Sequence, residues 1–268
     1  LSLIQEGIKR PYGLILITGP TGSGKSTTLY SLLQILNEER FNIVSLEDPI
    51  EYYIGGVNQS QVRPEIGYDF AIGLRHILRQ DPDIIMVGEI RDKETASLAI
   101  HAALTGHLVL STLHTNNAVG VIPRLLDMGV DPFLIAPTLI LAVGQRLVRK
   151  LCPDSRKEIP LTGSIRDAII REIEAMPPAA KQSVLAGLPP SIFQSQTGPL
   201  CPKGGRGRVG IFEVLSMTPE LEQVILSGAS ENKIVQEAER QSMISLRQDG
   251  ILKVLGGTIG FQELLEVV

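Results

Sequence analysis

The sequence contains the stretch Gly19-Pro20-Thr21-Gly22-Ser23-Gly24-Lys25-Ser26, which completes the eight-position pattern G-x-x-x-x-G-K-S. It directly follows an apolar run at residues 14–17 that predicts a β-strand, and it precedes a helical period over residues 26–36. A glycine-rich turn in this context lets successive backbone N–H groups surround phosphate oxygens. Its lysine neutralises their charge, and the hydroxyl of Ser26 is placed to ligate Mg²⁺. The stretch therefore predicts a site for a nucleoside triphosphate.

The residues expected to contact the nucleotide all lie in this phosphate loop and in the first turn of the helix after it. They are Gly19, Thr21, Gly22, Ser23, Gly24, Lys25, Ser26 and Thr27. A glycine-rich turn without a ligand is the alternative, and the strand before the loop and the helix after it argue against that alternative. The loop binds phosphates and not the base, so these residues alone leave adenine and guanine nucleotides open.

The composition is that of an ordinary globular protein. With 268 residues, of which 43% are hydrophobic and 20% charged, the chain can bury a full core. The net charge is -4 and the basic residues are spread along the chain, so direct nucleic-acid binding is not predicted. No apolar stretch approaches the roughly 20 residues that span a bilayer, and no signal peptide is visible. The two cysteines, Cys152 and Cys201, agree with a reducing compartment and provide no disulfide framework, so we expect a cytoplasmic protein.

The first half of the chain alternates apolar runs with helical periods. The predicted strands cover residues 14–18, 43–46, 84–87 and 108–111. The predicted helices lie near residues 26–36, 70–79 and 96–104. This alternation predicts an α/β fold in which helices cover both faces of a parallel sheet, and ligands bind at the carboxyl ends of the strands of such sheets.

From residue 151 onward prolines punctuate the sequence, which predicts a small inserted subdomain without sheet. It contains one helical period, at residues 165–173, and a short strand is predicted afterwards at residues 209–215. The helices predicted after that strand begin at Pro219, near Glu231 and near Leu246. The three expected segments are a nucleotide-binding core over 1–150, a small subdomain over 151–208 and a mainly helical C-terminal subdomain over 209–268.

Three carboxylates lie within five residues directly after the second predicted strand, in Glu47-Asp48-Pro49-Ile50-Glu51. Carboxylates at a strand end beside a magnesium-bound triphosphate can hold the metal through water or polarise the attacking water. A capped, solvated turn is the alternative. The phosphate loop, one helix and one strand earlier, favours the functional interpretation.

Two further candidates follow the third and fourth predicted strands. Glu89 ends an apolar run, and an acid in this place reaches Mg²⁺ or its water shell in P-loop enzymes; a structural pair with Arg91 is the alternative. His114 lies in the box Ser111-Thr112-Leu113-His114-Thr115 and can donate a hydrogen bond to a γ-phosphate, as can the two threonines of the box. A structural role is the alternative for this histidine. Because the four strand ends meet at one edge of a parallel sheet, we expect a single nucleotide cleft.

Taken in order, the phosphate loop, the acidic run, the strand ending Val87-Gly88-Glu89-Ile90-Arg91-Asp92 and the box around His114 closely resemble the secretion ATPase superfamily. Within it, the resemblance is to the type II secretion and type IV pilus assembly motors, and it covers nearly the whole chain. It implies a RecA-like P-loop core, ATP as the nucleotide, Mg²⁺ as cofactor and a homo-hexamer in the full-length protein. It also implies hydrolysis coupled to rotation of an inner-membrane platform protein, and thus a cytoplasmic location peripheral to the inner membrane through partners.

The resemblance also implies roles for the candidate residues. By position, the family's Walker A, Asp, Walker B and His boxes fall on residues 19–26, 47–51, 83–89 and 111–115. In this match Glu51 is the general base that orients water, Glu89 and Ser26 support Mg²⁺, partly through water, and His114 senses the γ-phosphate. Glu47 and Glu89 stay open as alternatives for the general base.

The tail resembles the assembly branch of the superfamily. This resemblance lies in two stretches, Gly207-Arg208-Val209-Gly210-Ile211-Phe212-Glu213 and Leu246-Arg247-Gln248-Asp249-Gly250. Retraction motors resemble this chain in the core but not in this tail. Pilus assembly and protein secretion both remain open.

The sequence departs from the family in its cysteines. Many assembly motors carry two C-x-x-C pairs between the core and the tail, a zinc pattern, and this chain keeps only Cys152 and Cys201. Two thiolates cannot complete a tetrahedral zinc site. We therefore expect no structural zinc, a subdomain held by packing, and the two cysteines adjacent in space.

A second departure concerns the start of the chain. Full motors of the family carry a preceding domain that supplies arginines to the nucleotide, whereas this chain starts about one helix ahead of its first core strand. We expect a fragment of a longer protein that binds nucleotide but hydrolyses it slowly, because such arginines contribute about 10³ to 10⁵ in rate.

Two other functions compete with a motor ATPase. The first is a nucleotide-binding scaffold or regulatory module of the same machinery with little hydrolysis. The second is a small-molecule phosphotransferase, for which the sequence offers no candidate substrate pocket or lid. Intact acidic and histidine boxes favour the ATPase.

Overall fold

The computed structural model describes residues 2–228 and 230–268. The strands are β1 (Gly13–Thr18), β2 (Ile43–Glu47), β3 (Val57–Gln61), β4 (Ile84–Val87), β5 (Leu108–Leu113), β6 (Leu139–Leu151), β7 (Lys157–Pro160), β8 (Ser191–Gln194) and β9 (Gly205–Ser216). The helices of the first half are α1 (Ser2–Gly7), α2 (Lys25–Leu36), α3 (Phe70–Ile77), α4 (Lys93–Leu104), α5 (Val121–Asp127) and α6 (Pro132–Thr138), with a 3₁₀ helix at Pro64–Ile66. Those of the second half are α7 (Gly163–Glu174), α8 (Pro178–Ala186), α9 (Pro219–Leu226), α10 (Glu231–Arg240), α11 (Leu246–Leu255) and α12 (Phe261–Leu265).

Seven strands form one sheet in the order β3-β2-β4-β5-β1-β6-β9. The pairs from β3 through β6 are parallel, with β1 between β5 and β6 and β2 between β3 and β4. Every residue of β1, β2, β4 and β5 is buried, which is typical of parallel strands covered on both faces. The predicted α/β fold with a parallel sheet is therefore confirmed.

Two strands of this sheet escaped the sequence analysis. β3 has the sequence Val-Asn-Gln-Ser-Gln, without an apolar run. It lies at the end of the sheet, where backbone pairing with β2 is sufficient to form the strand. β6 is apolar only in its first half and continues through Arg146 and Lys150, so its length of 13 residues was not predicted. The apolar pattern of a strand comes from its burial, and both of these strands are partly exposed.

The prediction that the small subdomain contains no sheet is wrong. β7 and β8 form an antiparallel pair in which Ile159 lies opposite Ile192. Both strands are four residues long, and one ends in Pro160, which made them indistinguishable from turns in the sequence. The predicted helix at residues 165–173 is confirmed as the central part of α7, and the helices predicted from Pro219, Glu231 and Leu246 begin at those residues.

The described residues divide into two compact units. One comprises the described residues of Leu1–Gly144 and Val214–Gln241, and the other comprises Gln145–Glu213 and Ser242–Val268. The segment 209–268, expected as one subdomain, thus contributes to both units. The expected three-segment organisation remains a prediction.

The second unit has its own apolar core. α7 buries Ile169 and Ile173 there, with Ile192 of β8 and with Ile251 and Val254 of α11. Among residues 2–228 and 230–268, no group of three or more His, Cys, Asp or Glu side chains is arranged to hold a metal ion. No described helix has the length and apolar composition needed to cross a membrane.

Cys152 and Cys201 lie together in the second unit, which confirms their predicted adjacency. The structure joins them by a disulfide bond, with their Cα atoms 6.4 Å apart, and both are buried. This bond was not predicted from the sequence, where two cysteines agreed with a reducing compartment. It occupies both thiols that the sequence left from the family's zinc pattern.

Reduction of this disulfide is expected to destabilise the second unit. The bond joins cysteines 49 residues apart, and in the chain-entropy model a loop of this length contributes about 4 kcal/mol to the free energy of unfolding. Urea unfolding with and without a dithiol reductant measures the difference. A Cys152→Ser/Cys201→Ser double variant is the control, because it has no bond to reduce. A wild-type transition that does not respond to reductant would contradict the prediction.

Candidate nucleotide site

The phosphate loop connects β1 to α2, as predicted. Gly24 caps the helix with φ of 86°, in the left-handed region that glycine adopts without strain. Because glycine has no side chain, the first N–H groups of α2 are not capped by their own N-cap residue. Such uncapped N–H groups at a helix start are the donors that bind phosphate oxygens.

Lys25 is folded back over this loop. Its Nζ donates hydrogen bonds to the carbonyl oxygens of Gly19 at 2.8 Å and Pro20 at 3.2 Å. Burial lowers the pKa of Lys25, and the negative charge of Glu89 opposes that effect. The ammonium group of Lys25 is thus held at the phosphate loop, where the charge of the Glu89 carboxylate attracts it.

Glu89 follows β4 at the same edge of the sheet. It accepts a hydrogen bond from Arg91, and its Oε2 lies 3.3 Å from Nε2 of His114. Burial acts to raise the pKa of Glu89, but the hydrogen bond and charge of Arg91, together with His114, outweigh burial and lower it. The carboxyl is therefore ionised at neutral pH. The predicted structural pair with Arg91 is present, and it leaves Glu89 beside both His114 and the charge of Lys25.

The His114 box is held by its neighbours' hydroxyls. Ser111 donates to the carbonyl of Val87 and Thr112 to that of Gly88, both at 2.7 Å. The backbone N–H of Thr115 donates to the hydroxyl of Thr18 at 2.8 Å. Of the two threonines that the sequence offered as phosphate donors, Thr112 thus bonds the chain leaving β4 and Thr115 bonds the end of β1.

Those contacts leave the histidine itself accessible. Thr115 donates its hydroxyl to the carbonyl of Asn117. The side chain of His114 is half exposed. Of the polar side chains in the box, the imidazole is the one directed to the Glu89 carboxylate.

The three carboxylates of the acidic run have different surroundings. Glu47 is 3% exposed and accepts hydrogen bonds from Tyr30, from Ser45 at 2.5 Å and from Gln59 at 3.0 Å. Asp48 is exposed and lies 3.5 Å from Arg91. The side chain of Glu51 is exposed to solvent, while its backbone N–H donates to the hydroxyl of Tyr30 at 3.1 Å. Glu47 therefore has the environment of a structural carboxylate and Glu51 that of an accessible one.

The sheet order brings these features together. β2, β4, β5 and β1 are consecutive neighbours, and their carboxyl ends carry the acidic run, Glu89, the His114 box and the phosphate loop. Tyr30, Ser45 and Gln59 were not predicted from the sequence. Tyr30 occupies a core-facing position of α2, where its polar tip has no signal of its own, and Gln59 lies on a strand that was not predicted.

The parallel sheet, the phosphate loop between β1 and α2 and the polar strand ends beside it define the RecA-like P-loop class of α/β proteins. The chain belongs to the family of type II/IV secretion system proteins, whose family model matches residues 1–266. This membership confirms the resemblance that the ordered motifs indicated.

The relatives include proteins of type II secretion and proteins of type IV pilus assembly. The chain is 48% identical over 264 residues to the type II secretion system ATPase E of Vibrio cholerae, covering 97% of this chain and 49% of the relative. It is 46% identical over 272 residues to the type IV pilus assembly ATPase PilB of Myxococcus xanthus, covering 99% of this chain and 45% of the relative. The chain thus spans about half the length of these curated relatives.

Two solved structures share the fold over nearly the whole chain. The pilus retraction motor PilT, with bound ADP, superposes with a TM-score of 0.70 at 31% identity, covering 98% of this chain and 63% of that one. The ATPase DotB of Legionella pneumophila also gives 0.70, at 27% identity, covering 99% of this chain and 62% of the other. These similarities confirm the predicted RecA-like fold.

Proposed function

We propose that this chain is the ATPase motor part of a protein that powers type IV pilus assembly or type II protein secretion. One observation carries the proposal: the phosphate loop, Glu51, Glu89 and His114 lie at the carboxyl ends of four adjacent strands of one parallel sheet. Relatives from both systems are named as ATPases, and the PilT structure contains ADP. ATP is accordingly the proposed substrate.

In this proposal residues 19–27 bind the triphosphate. The N–H groups of the loop and of the first turn of α2 surround the phosphate oxygens, and Lys25 exchanges its two carbonyl partners for phosphate. Thr21, Ser26 and Thr27 are exposed and offer further hydroxyl groups in the loop and the first turn of α2. His114, beside Glu89, donates to the γ-phosphate.

Mg²⁺ fits the side chains present. Ser26 offers an exposed hydroxyl oxygen and Glu89 an ionised carboxylate, and hard oxygen ligands of this kind suit Mg²⁺. When bound, the ion would neutralise charge on the β- and γ-phosphates. Ser26 and Glu89 would hold it, Glu89 in part through water.

Glu51 is the proposed general base. Of the three glutamates open for this role, Glu47 is enclosed by three donors and Glu89 is paired with Arg91. The Glu51 carboxylate is exposed and follows the strand next to β4. An accessible carboxylate can accept a proton from water that attacks the γ-phosphate.

The finer parts of the proposal concern the whole protein. We propose a homo-hexamer in the cytoplasm that contacts the inner membrane through a platform protein and couples hydrolysis to its rotation. Since the curated relatives extend well beyond the matched part, we expect residues 1–268 alone to hydrolyse ATP slowly. The absence of bound zinc also remains a prediction, which elemental analysis after dialysis tests.

Phosphate release from ATP, measured in the full-length protein and in residues 1–268, tests this function. The motor predicts Mg-dependent release that is faster in the full-length protein. The alternative, a nucleotide-binding scaffold of the same machinery, predicts tight ATP binding in both without phosphate release. Binding without release in the full-length protein would therefore reject the motor.

A further inference from the structure

We propose that Tyr30 is a positioning residue, which fixes the loop carrying Glu51 relative to the phosphate-binding helix. The inference rests on the proposed function, in which Glu51 activates water. Its basis is one buried hydroxyl that contacts two acidic residues of the same run, through a side chain of one and the backbone of the other.

Tyr30 lies on the helix that starts the phosphate site. α2 begins at Lys25, so Tyr30 is five residues further along, which places its Cα about 7.5 Å along the helix axis. Its side chain is 1% exposed. The hydroxyl therefore moves with the helix that binds phosphate, because the ring is packed in the core beneath it.

The hydroxyl of Tyr30 is used in both directions. It donates to Oε2 of Glu47 and accepts the backbone N–H of Glu51 at 3.1 Å. Burial, together with the hydrogen bond to Glu47, raises the pKa of Tyr30 to about 12, so the proton stays on the phenol at neutral pH. A phenol that donates its hydrogen to Glu47 still has lone pairs that accept the N–H of Glu51. Phenylalanine can neither donate nor accept a hydrogen bond.

Glu47 holds that hydroxyl in one orientation. Its carboxylate is itself fixed by Ser45 and Gln59, with donor distances of 2.5 and 3.0 Å to Oε1. Oε2 is left to Tyr30. A fixed acceptor sets the direction of the O–H bond and thereby directs the phenolic lone pair to the Glu51 N–H.

The residues after Glu51 are tied to the same group. The ring of Tyr52 packs edge-on against that of Tyr30, with centroids 4.5 Å apart and planes at 87°. Gln59 also donates to the carbonyl of Tyr52 at 3.2 Å and accepts the N–H of Ile54 at 2.7 Å. The backbone of this loop is thus held by hydrogen bonds at Glu51, Tyr52 and Ile54, while the Glu51 carboxylate remains exposed. General-base catalysis requires such placement, because small displacements of the base lower the rate steeply.

The test is steady-state ATP hydrolysis by the full-length protein carrying Tyr30→Phe, which removes one oxygen atom and keeps the ring. We expect kcat to fall about tenfold while KM and the affinity for a fluorescent ATP analogue change less than twofold. Tyr68→Phe is the matched control: its hydroxyl bonds Ser60 at 2.9 Å in the same unit, and its removal should leave kcat unchanged. Thermal unfolding of both variants is measured in parallel.

A double variant separates positioning from stability. If Tyr30 acts through Glu51, Tyr30→Phe should lower the residual rate of a Glu51→Gln protein by less than twofold, since effects through one group are not additive. An unchanged kcat in Tyr30→Phe, or a full tenfold loss on top of Glu51→Gln, overturns the inference and leaves the proposed function standing. Wild-type turnover in Glu51→Gln alone rejects the proposed role of Glu51, and the inference falls with it.

Discussion

Glu51→Gln should lower ATP turnover in the full-length protein by about 10²- to 10⁴-fold and leave ATP binding intact. Glutamine keeps the size of the side chain but cannot accept a proton, and loss of a general base typically costs 10²- to 10⁴-fold in rate. Because the Glu51 side chain is exposed, the substitution removes no buried contact and the fold should be unaffected. Phosphate release gives the rate, and titration with a fluorescent ATP analogue gives the affinity.

Glu65→Gln is the matched control for this variant. Glu65 is an exposed glutamate in the 3₁₀ helix, outside the site, and loses the same charge. Its turnover should equal that of the wild-type protein. If Glu51→Gln turned over normally while Glu89→Gln did not, the general base would be Glu89 instead.

Lys25→Ala is expected to remove nucleotide binding itself, with affinity for ATP at least about a hundredfold lower. A hydrogen bond to a charged group contributes about 1.5–3 kcal/mol, and this lysine, which is 9% exposed, adds charge neutralisation that solvent screens little. Turnover should be lost together with binding, which distinguishes this variant from Glu51→Gln. Fluorescent-analogue titration over a wide concentration range measures the change.

Lys9→Ala provides the control for charge, because Lys9 is exposed and lies in the same unit. Its affinity for the analogue should match that of the wild-type protein. Retention of tight binding by Lys25→Ala would contradict the assignment of residues 19–27 as the phosphate site. Circular dichroism of both variants checks that the helical content is unchanged.

The part of the fold that the sequence predicts well is the part where local pattern and burial agree. β1, the phosphate loop and α2 carry an apolar run, a glycine turn and a helical period in one short stretch, and the structure has all three there. β3 was missed because a polar strand at the end of a sheet is stabilised by backbone pairing, which leaves no side-chain pattern.

Contacts between distant segments could not be predicted from the sequence for a different reason. In the second unit, the N–H of Leu246 donates to Glu213 at 3.1 Å and the amide of Gln248 donates to the carbonyl of Ala175 at 3.1 Å. These contacts join segments that are 33 and 73 residues apart. Nothing local distinguishes such partners, so these contacts could not be predicted from the sequence.

The candidate site shows the same contrast. The sequence predicts which residue types stand at each strand end, because motif order and parallel topology are sufficient for that. It does not predict their surroundings: Glu47 and Glu51 are four residues apart and equally acidic, yet one is enclosed and the other exposed. That difference comes from Tyr30, Ser45 and Gln59, which reach Glu47 from three elements.

The hydrogen bonds of the serine and threonine hydroxyls at the strand ends limit how far the site can move. Ser111 and Thr112 fasten the end of β5 to the chain leaving β4, and Thr18 fastens the end of β1 to Thr115. The ends of β4, β5 and β1 are thereby joined by side-chain hydrogen bonds, which oppose sliding of one strand past its neighbour. We therefore expect the phosphate loop, Glu89 and His114 to keep their spacings when nucleotide binds, so that movement on binding is confined to the surrounding loops.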